Sequence, residues 1–434
     1  MPLNIHNKLK ERLADILTEH LPQILTNKQK FIDRRSMLTL FKAEKAIPAS
    51  GEIKEKLDQF IGETPVIDFI YENLSQNLYE HQEYEHFSQG IPLSDLDGYQ
   101  EIDKVANKLV EDLDSLPWSY TFTVKLHKEI AEPLLPIITN RTLGDSITIV
   151  QTDEVFEGKY PLESGIELRD KRINGSNSLL IPTPAKTEWG KSNLCIQFKQ
   201  DGFVGLYGDT ETSENVRDDF KSFCGLGIAL RLFKVETKFR ATPQKAKFYI
   251  HRKLDEGWVI QNTQEMDTAI SETFHDLILH DLNGVFEDEN DLKHWVHKTL
   301  LDIDAVYKHR EQNQKLLNAS RWLFESYTGK NELLSFVQTT VVIEILLGDK
   351  DTSDQMGLGA LLRNRCAYLI GDSQSQRDEL LEDFKKIYDV RSKIVHGGKN
   401  RLNYIEKSLF RRLQWMCRRV IAKEVELLKK DITN

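Results

Sequence analysis

Apolar residues between Leu9 and Leu25 recur at three- and four-residue steps, and Ile102 to Leu113 repeats the pattern. That period lines one side of a helix with apolar side chains, so residues 1–115 are predicted to be mainly helical. Turn chemistry interrupts the stretch at Pro48-Ala49-Ser50-Gly51 and at Gly90-Ile91-Pro92. After Pro117 the period changes. Trp118 to Leu126 alternates and is rich in β-branched and aromatic residues, as a strand is, and Ser146–Thr152 and Leu179–Pro182 read likewise. Asn193–Phe198 and Phe203–Tyr207 flank Gln200-Asp201-Gly202, a hairpin signal, and Ala246–Arg252 with Trp258–Gln261 gives a second hairpin. With a helix predicted from Glu214 to Phe233, residues 116–265 read as a mixed α+β domain. The helical period then returns and runs to the end. Asn331, Gly348, Gly371 and Gly397-Gly398 cut residues 266–434 into segments of bundle-helix length. The expected fold class is α+β multidomain: a helical N-terminal region, a mixed middle domain and a C-terminal all-α bundle.

A chain of 434 residues has room for two or three domains, and 40 % hydrophobic with 29 % charged residues is a globular composition. The net charge of −10 argues against a protein that coats polyanions along its whole surface. Charge is nevertheless uneven. Residues 301–434 carry 23 Lys and Arg against 19 Asp and Glu, which leaves 35 against 49 for residues 1–300. A basic C-terminal region on an acidic body is compatible with local nucleic-acid contact. Four separated cysteines without a C-x-x-C pair predict neither a disulfide framework nor a zinc knuckle. The N-terminal MPLNIHNKLKERLADIL has no secretory pattern, and the apolar run Leu333–Leu347 is too short and too polar to span a bilayer. A soluble, cytoplasmic protein with no membrane partner is expected.

Several motifs fail on spacing. Gly225-Leu226-Gly227 and Gly357-Leu358-Gly359 are too short for a dinucleotide fingerprint, and no Walker loop exists. Asp281-Leu282-Asn283-Gly284 begins like a calcium loop, but its glycine falls at position 4 instead of 6. His294 with His297, and His275 with His280, read as solvated helix positions. No metal or cofactor is expected.

What survives is Ile387-Tyr388-Asp389-Val390-Arg391-Ser392-Lys393-Ile394-Val395-His396-Gly397-Gly398. Leu380, Phe384, Ile387, Arg391 and Ile394 follow steps of four and three, which predicts a helix seam with Arg391 facing inward. Leu334, Val337, Val341 and Glu344 do the same on an earlier helix, so two charges of opposite sign are each other's expected partners. His396 is expected at a helix end, where Gly397 or Gly398 takes the left-handed cap and the free carbonyls favour an imidazolium. Five residues turn a helix by about 140°, so Arg391 and His396 do not share a face of a straight helix. Fraying at the glycines, or a second subunit, would be needed to bring them together. A structural Glu344–Arg391 ion pair with His396 as a mere capping residue is the alternative.

Three segments, Val342-Ile343-Glu344-Ile345-Leu346, Leu362-Arg363-Asn364-Arg365-Cys366-Ala367 and Tyr388 through Gly397, resemble the Apea-like branch of the HEPN superfamily. The resemblance covers about a third of the chain; the N-terminal two-thirds resemble nothing that can be named. It implies a four-helix bundle that dimerises and a metal-independent endoribonuclease whose R-x4–6-H motif falls on Arg391 and His396, with Ser392 where Asn, Asp or His is common. Arg391 would stabilise the phosphorane, His396 would carry protons, Glu344 would orient Arg391 and Ser392 would support the site. Products would end in a 2′,3′-cyclic phosphate and a 5′-hydroxyl. Arg411-Arg412 and Arg418-Arg419, seven apart with Trp415 between, are candidate RNA contacts, as are Arg365 and Lys393; the alternatives are a solvated basic face with Trp415 turned toward the core, and an Arg365 that ties helix to helix. The implied partners are RNA (tRNA, mRNA or rRNA) and a second copy of the chain or a higher homo-oligomer. The acidic front end would sense or restrain, as in prokaryotic anti-phage abortive-infection effectors, with a phage-derived or nucleic-acid trigger. The competing reading is a catalytically inactive HEPN module for dimerisation or for RNA or protein binding.

Overall fold

The computed structural model describes residues 2–26, 32–80, 90–162, 189–190, 193–205, 210–238, 245–280, 289–329, 331–349 and 357–433. The chain is mixed α+β and divides into two compact units, each discontinuous in sequence. Unit 1 takes residues 1–121, 200–216 and 251–262; unit 2 takes 122–199, 217–250 and 263–434. Two expectations, the strand at Leu179–Pro182 and the calcium-like run at residues 281–284, lie outside the described residues.

Unit 1 is built on α1 (Asn7–His20), α2 (Phe41–Glu44), α3 (Glu52–Phe60), α4 (Pro65–Glu80) and α5 (Ile102–Asp114), with a short antiparallel pair, β1 (Leu25–Thr26) and β2 (Ile91–Pro92). The periodic residues Leu13 and Leu17 of α1 and Ala106, Leu109, Val110 and Leu113 of α5 are buried together. That apolar burial drives their packing. Asp114, at the end of α5, accepts the Ile5 N–H and pairs with Lys10, which ties the chain start to that helix. Phe69, Trp118 and Phe203 close the core with ring centroids 5.0 to 5.9 Å apart.

One six-stranded sheet has the order β4-β5-β6-β3-β8-β9, with β3 Trp118–Lys125, β4 Asn140–Leu143, β5 Ile147–Gln151, β6 Leu194–Gly202, β8 Lys247–Leu254 and β9 Gly257–Glu265. The predicted strands at 118 and 146 and the hairpin at 246–261 are present. The hairpin expected around Gln200-Asp201-Gly202 is not seen among the described residues: those three continue strand β6, and residues 203–205 form no strand. Gly202 serves a different need, because a Cβ there would lie 2.0 Å from the Thr212 hydroxyl oxygen. A glycine in a strand often marks such a close approach rather than a turn.

In unit 2 the remaining pair, β7 (Phe233–Val235) with β10 (Leu277–Leu279), is antiparallel. Three shorter or shared helices are α6 (Lys128–Leu134), α7 (Glu154–Lys159) and α9 (Thr268–His275); α8 (Glu211–Ala229) begins in unit 1 and continues here. Gly225 and Gly227 of α8 are packing positions. A Cβ at 225 would sit 1.8 Å from the Ser320 carbonyl oxygen, and one at 227 would sit 2.2 Å from the Phe233 ring.

The C-terminal region is helical throughout its described length: α10 (Glu289–Lys308), α11 (Gln314–Thr328), α12 (Glu332–Leu347), α13 (Leu358–Ile370), α14 (Gln374–His396) and α15 (Tyr404–Thr433). Caps fix their ends as the sequence suggests. Asn331 accepts the Leu333 and Leu334 N–H groups, and Ser373 accepts that of Gln376. Helix α12 packs against α11 and α15, and α14 against α13 and α15. Their buried faces include Phe336, Val342 and Ile343, then Leu362 and Cys366, then Leu380, Phe384 and Ile387, then Met416 and Cys417. All four cysteines are buried free thiols. No described helix is long and apolar enough to cross a membrane.

Two predicted seams need correction. On α12 the buried stripe is Ser335, Phe336, Thr339, Thr340, Val342, Ile343 and Leu347, whereas Leu334 is 53 % exposed. Ten of the fifteen residues from Leu333 to Leu347 are apolar and they are spread around the helix, so periodicity could not choose its inner face. Thr339 and Thr340 enter that face because their hydroxyls bond to their own helix, at Ser335 O and Val337 O. On α14 the seam Leu380, Phe384 and Ile387 is buried, but Arg391 and Ile394 are only half-buried. The described part of α13 begins at Leu358, and Gly359 already lies level with Tyr388, so α13 gives the last two turns of α14 less cover.

Candidate functional site

Glu344, near the end of α12, and Arg391, in the last two turns of α14, come together as the charge pattern predicts. Arg391 Nη2 stands 3.4 Å from Glu344 Oε1, with side chains 28 % and 22 % exposed. The pair therefore sits at the rim of the helical core rather than inside it. A third residue, overlooked as functional in the sequence, completes the group: the Tyr388 hydroxyl donates to the same Glu344 Oε1 at 3.0 Å. Tyr388 lies one turn before Arg391, so both reach the carboxylate from one helix face. Its ring stacks on Phe384 at 5.1 Å and 17°. Burial, and then the Glu344 charge, push the Tyr388 phenol well above its ordinary range, so it remains a donor. The Arg391 Nε is buried without a hydrogen-bond partner among the described residues. One carboxylate oxygen thus receives both neighbours and leaves donor capacity on the guanidinium.

His396 is the last residue of α14 and is exposed. Gly397 caps the helix through its N–H to Lys393 O at 3.0 Å, and Gly398 takes the left-handed conformation, φ 63°. The next turn is firmly held. Asn403 and Glu406 form a reciprocal capping box at the start of α15, with N–H to side-chain distances of 2.8 and 2.9 Å. Lys399 pairs with Glu406 at 2.9 Å. Burial opposes ionisation of Glu406, but the Asn403 N–H and the Lys399 ammonium hold its carboxylate below the usual range. The glycines do not fray the helix, which is continuous through His396. Within one chain, the five-residue step therefore leaves Arg391 and His396 about 140° apart around the axis.

The remaining predicted residues are dispersed. Ser392 and Lys393 are exposed beside Arg391. Arg365 ties two helices: its Nη1 donates to Leu347 O at 2.9 Å and its Nη2 lies 3.4 Å from Asp349. Arg411 is exposed. Arg412 is held by Asp383 at 3.0 Å and Glu379 at 2.9 Å, with its guanidinium 4.4 Å over the half-buried Trp415 ring. Arg418 has a buried Nε without a partner among the described residues. Arg419 lies 3.8 Å from Asp372. The basic stripe therefore splits: Arg412, Trp415 and Arg419 share one face, and Arg411 is set apart from them. No family model, curated protein or solved structure matches the chain.

Proposed function

We propose that the C-terminal helices are a HEPN-type, metal-independent endoribonuclease that acts as a dimer. The observation that carries this reading is the position of Arg391. It is drawn to Glu344 at 3.4 Å beside the Tyr388 hydroxyl, at the rim of the helical core and five residues before an exposed His396. RNA brings its own nucleophile. A histidine takes the proton from the 2′-hydroxyl, the 2′-oxygen attacks phosphorus, and the bond to the 5′-oxygen breaks as that oxygen is protonated. The guanidinium of Arg391 stabilises the charge on the phosphorane. Glu344 and Tyr388 hold Arg391 in place, and Ser392 stands beside it. One imidazole cannot serve both sides of the phosphorus, and Arg391 and His396 diverge on a single helix. Two copies meeting along α14 would supply base, acid and arginines to one groove.

The resemblance also supports a role for the acidic remainder of the chain in sensing or restraint, of the kind found in anti-phage effectors. A second reading is favoured by the ion pair itself. Arg391 already has a carboxylate partner, as it would in a HEPN module that binds RNA or protein without cutting. The two separate in one comparison. Under the ribonuclease reading, His396→Ala folds as the wild type does and loses cleavage of total RNA and tRNA. Under the binding reading, the wild type cuts nothing and His396→Ala changes only stability or affinity.

A further inference from the structure

In unit 2 the fold brings together two histidines from distant parts of the chain. His127 lies between β3 and α6, and His275 is the last residue of α9. The sequence pairs His275 with His280, but in space its ring neighbour is His127, with centroids 5.5 Å apart and planes tilted by 48°. Both rings are half-buried. Phe274 stands edge-on to His127 at 5.2 Å and 82°, which fixes the attitude of that ring.

Each imidazole gives one nitrogen to a backbone carbonyl. His127 Nε2 donates to Leu277 O at 2.5 Å, and His275 Nδ1 donates to Ser271 O at 2.7 Å. A carbonyl only accepts, so the proton of each neutral ring is on that nitrogen. The lone pair is then on the other one, Nδ1 of His127 and Nε2 of His275. His127 Nδ1 is buried and has no hydrogen-bond partner among the described residues. Burial lowers the His127 imidazole to about 4, so that nitrogen keeps its lone pair at neutral pH. One N–H anchored on a backbone carbonyl, with the opposite nitrogen left basic, is the arrangement of metal-bound histidines. The spacing agrees. With a metal–nitrogen bond of about 2.0–2.1 Å, each ring centroid stands about 3.2 Å from the ion, and a tetrahedral angle puts the two centroids about 5 Å apart.

We propose that His127 Nδ1 and His275 Nε2 bind a zinc ion, which clamps the start of α6 to the end of α9. Imidazole nitrogens suit zinc, nickel and copper, whereas magnesium and calcium take oxygen ligands. No third His, Cys, Asp or Glu joins the pair among the described residues, so the other positions on the ion go to water or to a ligand from solution. Of the charged groups that bear on His127, Glu129 and Lys238 are paired with each other at 2.9 Å, so neither sign dominates beside the ring. The site shares no residue with the proposed cleavage chemistry and does not depend on it.

The test is calorimetric titration of the full chain, untagged and freed of metal with EDTA, with zinc chloride, copper(II) chloride and magnesium chloride. One zinc per chain is expected to bind with Kd below about 100 µM, copper more tightly, and magnesium not at all. The melting temperature should rise with zinc, because the unfolded chain does not hold the two nitrogens together. His127→Gln and His275→Gln should each weaken zinc binding at least about tenfold. Glutamine still donates to the backbone carbonyls, and unchanged circular dichroism shows that each variant is folded. His294 and His297 are exposed on α10 and form the control: His294→Gln with His297→Gln should leave the affinity as it is. No zinc binding at 1 mM, unchanged affinity in both single variants, or loss of binding in the α10 variant would overturn the proposal.

Discussion

Removing one oxygen atom examines the Glu344 cluster with little collateral change. Tyr388→Phe keeps the ring stacked on Phe384 and deletes only the hydroxyl that donates 3.0 Å to Glu344 Oε1. A hydrogen bond to a charged acceptor contributes about 1.5–3 kcal/mol. Glu344 is 22 % exposed, so water compensates part of the loss and about 1–2 kcal/mol is expected. In a double-mutant cycle with Glu344→Gln, read by urea unfolding of the full chain, the coupling should be about 1 kcal/mol. The pH dependence has a definite sign. The folded-state phenol is raised above its unfolded value, so the stability it contributes is complete below about pH 10 and declines at higher pH as the unfolded chain ionises first. The gap between wild type and Tyr388→Phe should therefore narrow between about pH 9 and pH 11. A coupling below about 0.3 kcal/mol, or a gap constant across that range, would show that the hydroxyl does not bond to Glu344.

Other outcomes follow from the same structure. Arg391→Lys keeps the charge but loses the planar fork, so it should fold normally and fail to restore cleavage in an RNA assay; wild-type activity would remove the phosphorane role. Burial, against the pull of Leu277 O, lowers the His127 imidazole to about 4, so the stability it contributes is present above about pH 6.5 and lost as pH falls toward 4. His127→Gln should flatten the urea midpoint between those pH values, and an unchanged slope would contradict the assignment. Gly225→Ala places a methyl 1.8 Å from the backbone oxygen of Ser320, so about 3 kcal/mol should be lost in urea unfolding; a loss under about 0.5 kcal/mol would show that the two helices separate easily.

What was legible in the sequence was local. The alternation at Trp118–Leu126, the hairpin read at 246–261 and the stripes of α1 and α5 each carry their own period, and the strands and helices form there, at 118–125, 247–254, 257–265, 7–20 and 102–114. Charge pairing was legible too, because Glu344 and Arg391 interrupt apolar periods and find each other. The inner face of α12 was not, since the ten apolar residues between Leu333 and Leu347 are spread around the helix and threonines hide their hydroxyls on the helix backbone. Gly202 looked like a turn and is a packing position. The two units could not be drawn from periodicity, which reads contiguous stretches, whereas both units take three separate segments.

The central claim is that His396 and Arg391 cut RNA through its own 2′-hydroxyl. The most direct measurement incubates the full-length wild type and His396→Ala with total RNA and tRNA in EDTA and maps both ends of every fragment. Fragments from the wild type alone, ending in 2′,3′-cyclic phosphate and 5′-hydroxyl, are the predicted result. Equal cutting by His396→Ala, or wild-type fragments ending in 3′-hydroxyl and 5′-phosphate, would contradict it.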